Sequence, residues 1–255
     1  MATIFFLAVT ILVTADIGAR DAADIGRQIT RLQSGTPKQK IDATRTLGQM
    51  GRNALPAVPY LIELIDSSEK CETLLDKLWN SINPLGTSGT YVQYEAQKAL
   101  PKIGRPAVEQ LSAALLKHPR ARVRSNTAIV LGNIKDFQSI EPLIESLNTD
   151  RDYEVRMWSA DALGRMAETW SIDSLGNAVH GLMTALRDKD PNVRRKAAYS
   201  LGKLKAIEAV PSLIEVLQVY GKDSDAGLAL FMITGQRLGD DPQKWQEWWH
   251  KNEHL

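Results

Sequence analysis

The sequence is poor in the groups that most often carry chemistry. Its 255 residues hold one cysteine, Cys71, and four histidines. One thiol forms no intrachain disulfide, no thiolate metal cage and no CxxC redox pair. The plain reading of Cys71 is a small buried apolar residue. His118, His180, His250 and His254 make no HxH, HxxxH or HExxH pair, so there is no local metal motif. Walker loops, GxSxG elbows and CxxCH haem sites are missing, and the stretch Gly86 to Gly89 is too short for a phosphate cradle and lacks its lysine. Catalysis would need distant residues to converge, and no cofactor is expected. An excess of one charge is missing too. Lysine and arginine total 31 against 30 aspartates and glutamates, which gives no global pull toward polyanions or acidic lipid.

Long apolar runs are equally scarce. Ile4 to Val13 is uncharged and apolar, but a membrane-spanning helix needs about twenty such residues. The run fits the core of a secretory signal peptide, and Val13, Thr14 and Ala15 supply small residues for cleavage. No lysine or arginine precedes it, which departs from that pattern; the alternative is an amphipathic first helix. We expect export to the periplasm or cell envelope, with residues 1–15 a signal peptide, and a cytoplasmic protein otherwise.

What is present is a repeat. Val123-Arg124, Val155-Arg156 and Val193-Arg194 each precede alanines at helical spacing and then Leu131-Gly132, Leu163-Gly164 and Leu201-Gly202. Leu47-Gly48 and Leu100-Pro101 occupy the same place in two earlier segments. From Gly48 through Pro101, Gly132 and Gly164 to Gly202 the steps are 53, 31, 32 and 38 residues. The unit is therefore 31–32 residues long, and the longer steps contain insertions, placed at 67–91 and 167–177. Each unit reads as two helices. In the last, Asp190 caps the first helix, Pro191 sits in its first turn, and the second opens near Pro211 and buries Leu213, Ile214 and Leu217. A unit has about six large apolar side chains, worth roughly 1.5–3 kcal/mol each when buried. Ordering its backbone costs on the order of 1–2 kcal/mol per residue, so only stacking on neighbours makes it stable.

The stretch Asp190 to Leu204 nearly completes D-x-x-V-R-x-x-A-x-x-A-L-G-x-[LIM], and Arg120 to Ile134 and Asp152 to Met166 match it in part. These residues resemble the HEAT-repeat family, in particular the short bacterial repeats called PBS-lyase HEAT-like. The resemblance covers residues 37–235. It implies an all-α fold, a right-handed α-α superhelix of about five to six hairpins, and a non-catalytic protein-protein interaction scaffold. Deoxyhypusine hydroxylases of this type use His-Glu dyads for iron, and this chain has no His-Glu dipeptide. No catalytic residue of the phycobilin lyases is matched. An enzyme subunit of the lyase group is the alternative, and a nucleic-acid-binding HEAT protein a weaker one.

The ends should be closed by capping helices, at 21–36 through Ile25, Ile29 and Leu32, and at 236–255 through Trp245, Trp248 and Trp249. The tryptophans share one helical side; they either cover the last repeat or form an aromatic partner-binding patch. Leu74, Leu75, Leu78 and Ile82 suggest an extra helix in the first insertion, while Trp170 marks the second as a candidate contact. The resemblance places second helices on a concave side, where Glu63, Ala113, Glu145, Thr184 and Glu215 form one outward column. Its three glutamates are either a solvated face or an acidic ladder for a basic protein partner. Arg124, Arg156 and Arg194 recur once per unit near Asp150, Asp152, Asp188 and Asp190. Pairing between repeats is the simpler role. A basic nucleic-acid stripe, joined by Arg120, Arg122, Arg151 and Arg195, is the other.

Overall fold

Start and stop signals in each segment turn the repeat pattern into helices. The computed structural model describes residues 18–73, 76–77, 81, 89–221 and 225–252. The chain divides into two compact units, Met1–Leu111 and Ser112–Leu255. The apolar run of residues 4–13 lies outside the described residues.

In the first unit, helix α1 (Ala19–Ser34) packs on α2 (Pro37–Met50) and buries Ile25 and Leu32, while Ile29 stays half-buried. Thr36 opens α2 with a capping box, its hydroxyl accepting from the Gln39 amide while the Gln39 side chain accepts from the Thr36 amide at 2.8 Å. A 3-10 segment (Gly51–Ala57) leads into α3 (Val58–Leu64). The first insertion is closed by a ribbon that the sequence pattern does not announce. Strands β1 (Lys70–Cys71) and β2 (Thr90–Tyr91) pair antiparallel, Lys70 opposite Tyr91 and Cys71 opposite Thr90. Cys71 is thus half-buried on a ribbon that packs against α2, rather than in the core. The extra helix expected from Leu74, Leu75, Leu78 and Ile82 falls on positions outside the described residues. Helix α4 (Val92–Ile103) then packs on α2.

The boundary between units divides α5 (Val108–Lys117). The second unit continues with α6 (Ala121–Ile134), α7 (Ile140–Thr149), α8 (Tyr153–Arg165), α9 (Gly176–Ala185), α10 (Pro191–Leu204), α11 (Val210–Tyr220), α12 (Ala226–Thr234) and α13 (Pro242–Asn252). First helices α6, α8, α10 and α12 pack on one another in that order, α7 packs on α9 and α11 on α13. Each of α7, α9 and α11 also packs on the first helix that follows it. The repeat leucines Leu131, Leu163 and Leu201, with Val123, Val155 and Val193, are fully buried between these layers.

The glycine after each leucine sets how closely first helices approach. A Cβ on Gly132 would lie 2.8 Å from Ala162 Cα, and one on Gly202 3.0 Å from Ala229 Cα. On Gly164 it would meet the Ser200 side chain at 2.5–2.7 Å. Within the first unit, Gly48 faces Ala99 in the same way at 3.1 Å. Ser200 exploits the closeness by donating to Ala160 O across the α10–α8 contact at 2.8 Å. At the C-terminal end Asp241 caps α13 through the Gln243 amide at 3.0 Å.

Candidate partner-binding surfaces

The valine-arginine pairs build rungs between repeats. Arg124 grips Asp150 with two parallel bonds of 2.6 and 2.9 Å, and its third nitrogen donates to His118 O at 2.8 Å. One repeat later Arg156 grips Asp188 at 2.7 and 2.9 Å and donates to Asp150 O at 2.9 Å. The two guanidinium residues are 5% and 4% exposed, so they are spent on packing and face no phosphate. Burial pushes the Asp150 and Asp188 carboxyls up, but the guanidinium of each rung and the Asp152 or Asp190 amide outweigh it and hold both below the usual carboxylate range. Asp152 and Asp190 take a different role from their neighbours. They cap α8 and α10 by accepting from the Glu154 and Asn192 amides at 2.9 and 2.8 Å. Arg194 donates to Asp188 O at 2.9 Å and lies 4.0 Å over the Tyr220 ring, so an aromatic face closes the series where a carboxylate stood before. In the first unit Arg45 grips Glu95 at 3.1 and 3.3 Å and lowers its carboxyl.

The outward glutamate column is exposed: Glu63 on α3 in the first unit, Glu145 on α7 and Glu215 on α11 in the second. Glu145 borders an open cleft of about 370 Å³ beside Lys117, His118 and Arg151. Glu215 already holds Arg187 at 2.7 Å, and Thr184 stands between these two carboxylates in the register. The second unit therefore presents two separated acids on its second helices, Glu145 and Glu215.

The tryptophans divide. Trp245 is 0% exposed and donates its indole N–H to Gly239 O at 2.7 Å, so it is packed inside the second unit and lacks the access a partner contact needs. Trp248 and Trp249 are half-buried, Trp248 edge-on to Trp245 with centroids 6.1 Å apart. Trp170, in the second insertion between two 3-10 turns (Met166–Glu168 and Ile172–Leu175), donates to Lys135 O at 2.8 Å and meets Phe137 edge-on. It satisfies a carbonyl at the C-terminus of α6, and the neighbouring Phe137 stays 48% exposed.

One surface has no counterpart in the sequence reading. On the outer face of α6, α8 and α10, Lys135, Arg165, Lys196 and Lys203 line one cavity of about 490 Å³ together with Asp161 and Glu168. Asp161 accepts from Arg165 at 2.7 Å and Lys196 at 3.1 Å. Glu168 bridges Lys135 and Lys203, the latter at 3.2 Å, and the two ammonium groups lower its carboxyl. The Lys196 ammonium stands 5.7 Å from the Trp158 ring and 5.8 Å from the Tyr199 ring. The signal was an outward register, Asn133, Arg165 and Lys203 one residue after each repeat glycine, which only the helix faces reveal. Among the described residues no cluster of three or more histidine, cysteine, aspartate or glutamate side chains suits a metal ion, and no helix is long and apolar enough to cross a membrane.

Comparison with known proteins agrees with this geometry. The profile described as HEAT repeats matches residues 85–164 and 165–225, more than half of the chain. The chain belongs to the HEAT-repeat family. Its fold is all-α and of the HEAT type. No curated protein sequence matches it. Among solved structures it is similar to a chain of the CpcE and CpcF complex of phycocyanin lyase from Nostoc sp. PCC7120, at 22% identity and a TM-score of 0.47, covering 64% of this chain and 89% of that one. It is also similar to a designed armadillo repeat protein, at 19% identity and a TM-score of 0.43, covering 82% and 99%. A computationally designed armadillo repeat protein for modular peptide recognition gives 18% identity and a TM-score of 0.41, covering 82% and 99%.

Proposed function

We propose that this protein is a non-catalytic scaffold that binds another protein on its exposed helix faces. One observation carries the reading. In the second unit the residues that recur from repeat to repeat are the buried ones, the valines, the leucines, the glycines at the crossings and the Arg124 and Arg156 rungs. Changes at buried positions stay among small side chains, Val130, Ala162 and Ser200 or Thr127, Ser159 and Ala197, whereas outward positions change in charge and size: Glu145, Thr184 and Glu215 on second helices, Asp161, Tyr199 and Leu228 on first helices. The repeated part is thus committed to stacking, and chemical variety is kept for the surface, which is what recognition of one partner requires.

Affinity capture with mass spectrometry, on intact protein whose mature N-terminus is also sequenced, tests the reading. A partner retained by the wild type and lost on charge reversal of exposed residues is the expected result; a reversal of Glu63, Glu145 and Glu215 asks whether the second helices carry it. Failure to retain any partner from envelope and cytosol fractions overturns the proposal. Export belongs to the same reading, on the strength of Ile4 to Val13 and the small residues at 13–15. A mature chain that begins after Ala15 is the expected result, and one that begins at Met1 removes it.

A further inference from the structure

The cavity on the outer face of α6, α8 and α10 holds four cations and two carboxylates, so its walls keep two positive charges in excess. The two carboxylates are not equivalent. Asp161 has a side chain only 14% exposed and is bound into α8 beside Arg165. Glu168 stands on the turn that begins the second insertion, with a side chain 49% exposed, and bridges Lys135 and Lys203. A solvated carboxylate held between two ammonium groups costs little to displace. The net positive charge of the walls also draws in an anion.

We infer that this cavity is a docking site for an acidic segment of a partner protein, whose carboxylate takes the place of Glu168 between Lys135 and Lys203. Glu168 is then a built-in competitor for the guest. Asp161 has the separate task of holding Arg165 and Lys196 in position, with Lys196 also near the Trp158 and Tyr199 rings. Charge complementarity favours a peptide over a nucleic acid. The cations converge on one cavity, and Glu168 already shows that a carboxylate fits between two of them. A polynucleotide needs cations tracking a line of phosphates, and Arg124 and Arg156, which recur along the repeats, are buried in rungs.

The inference rests on the protein-binding reading, and its test is direct. The full chain is titrated at low ionic strength with a fluorescein-labelled octapeptide of alternating glutamate and serine, read by anisotropy, with circular dichroism melts confirming that each variant folds. Lys203→Glu should weaken binding at least about tenfold, and Glu168→Gln should tighten it about fivefold. Glu154→Gln, which makes the same charge change on the outside of α8, should leave it unaltered. If Lys203→Glu unfolds the chain, Lys135→Gln serves instead and should also weaken binding. Equal effects of Glu168→Gln and Glu154→Gln, or no effect at Lys203 and Lys135, overturn the inference. Tighter binding of oligothymidylate than of the peptide, weakened by the same lysine variants, also overturns it and assigns the cavity to nucleic acid. A captured partner insensitive to Lys203→Glu but lost on reversal of Glu145 and Glu215 overturns this site alone and leaves the scaffold reading standing.

Discussion

At the scale of single residues, the arginine rungs and the polar cavity use the same chemical groups under opposite conditions. Arg124 and Asp150 have side chains 7% and 8% exposed. Removing one partner there leaves an uncompensated buried charge, so Asp150→Ala or Arg156→Ala should cost about 3–5 kcal/mol in a urea melt. Arg194→Ala gives up a contact on a Tyr220 ring that is 41% exposed and a hydrogen bond to Asp188 O but strands no carboxylate, and about 1–2 kcal/mol is expected. The rungs also set the response to acid. Asp150 and Asp188 bind protons less readily in the folded chain than in the unfolded one. Their contribution is complete above the unfolded aspartate value of about 3.9 and fades as pH falls through the lower folded values. The urea midpoint should therefore drop as pH falls below about 4, and the double variant Asp150→Asn, Asp188→Asn should be weaker at neutral pH and flatter in acid. An unchanged acid limb in that variant would place the acid sensitivity elsewhere.

At the scale of elements, the distance between first helices is fixed by what the glycines omit. Gly132→Ala and Gly164→Ala put a methyl group against Ala162 and Ser200 at distances no real Cβ keeps. The helices must separate, at a cost of about 1–3 kcal/mol. Gly176, at the start of α9, has nothing within 4 Å of a built Cβ and no positive φ, so Gly176→Ala should stabilise by about 0.4–1 kcal/mol through the unfolded chain. Thermal melts that moved all three variants the same way would contradict this account of the crossings. The helices and their repeat were legible in the sequence because caps, valines, leucines and glycines act locally and recur. The β1–β2 ribbon was not, since two residues per strand leave no alternation to read. The cavity was hidden for a related reason. Lys135 at the end of α6, Asp161 on α8, Glu168 on the 3-10 turn and Lys203 on α10 lie on four elements, and nothing in their spacing distinguishes them from a solvated face until the helices are packed side by side.

At the scale of the whole molecule, a repeat array distributes stability through neighbours instead of through one centre, so the place of a lesion should decide which helices feel it. Trp245 tests this in the second unit. It is fully buried, its indole N–H is satisfied by Gly239 O, and its helix α13 packs on α11. Trp245→Ala should cost about 3–5 kcal/mol locally, the range for removing a buried aromatic side chain. A single globular core would spread that loss over every amide. Nearest-neighbour stacking confines it, because α13 supports α11, α11 supports α12, and α12 packs on α10, with α6 two first-helix contacts further on. Hydrogen exchange followed by mass spectrometry should therefore show protection falling most in α13 and α11, less in α12 and α10, and least in α6 and α7. Equal loss across α6 to α13 would mean that the second unit unfolds as one cooperative block, in which no hairpin depends on its immediate neighbours alone.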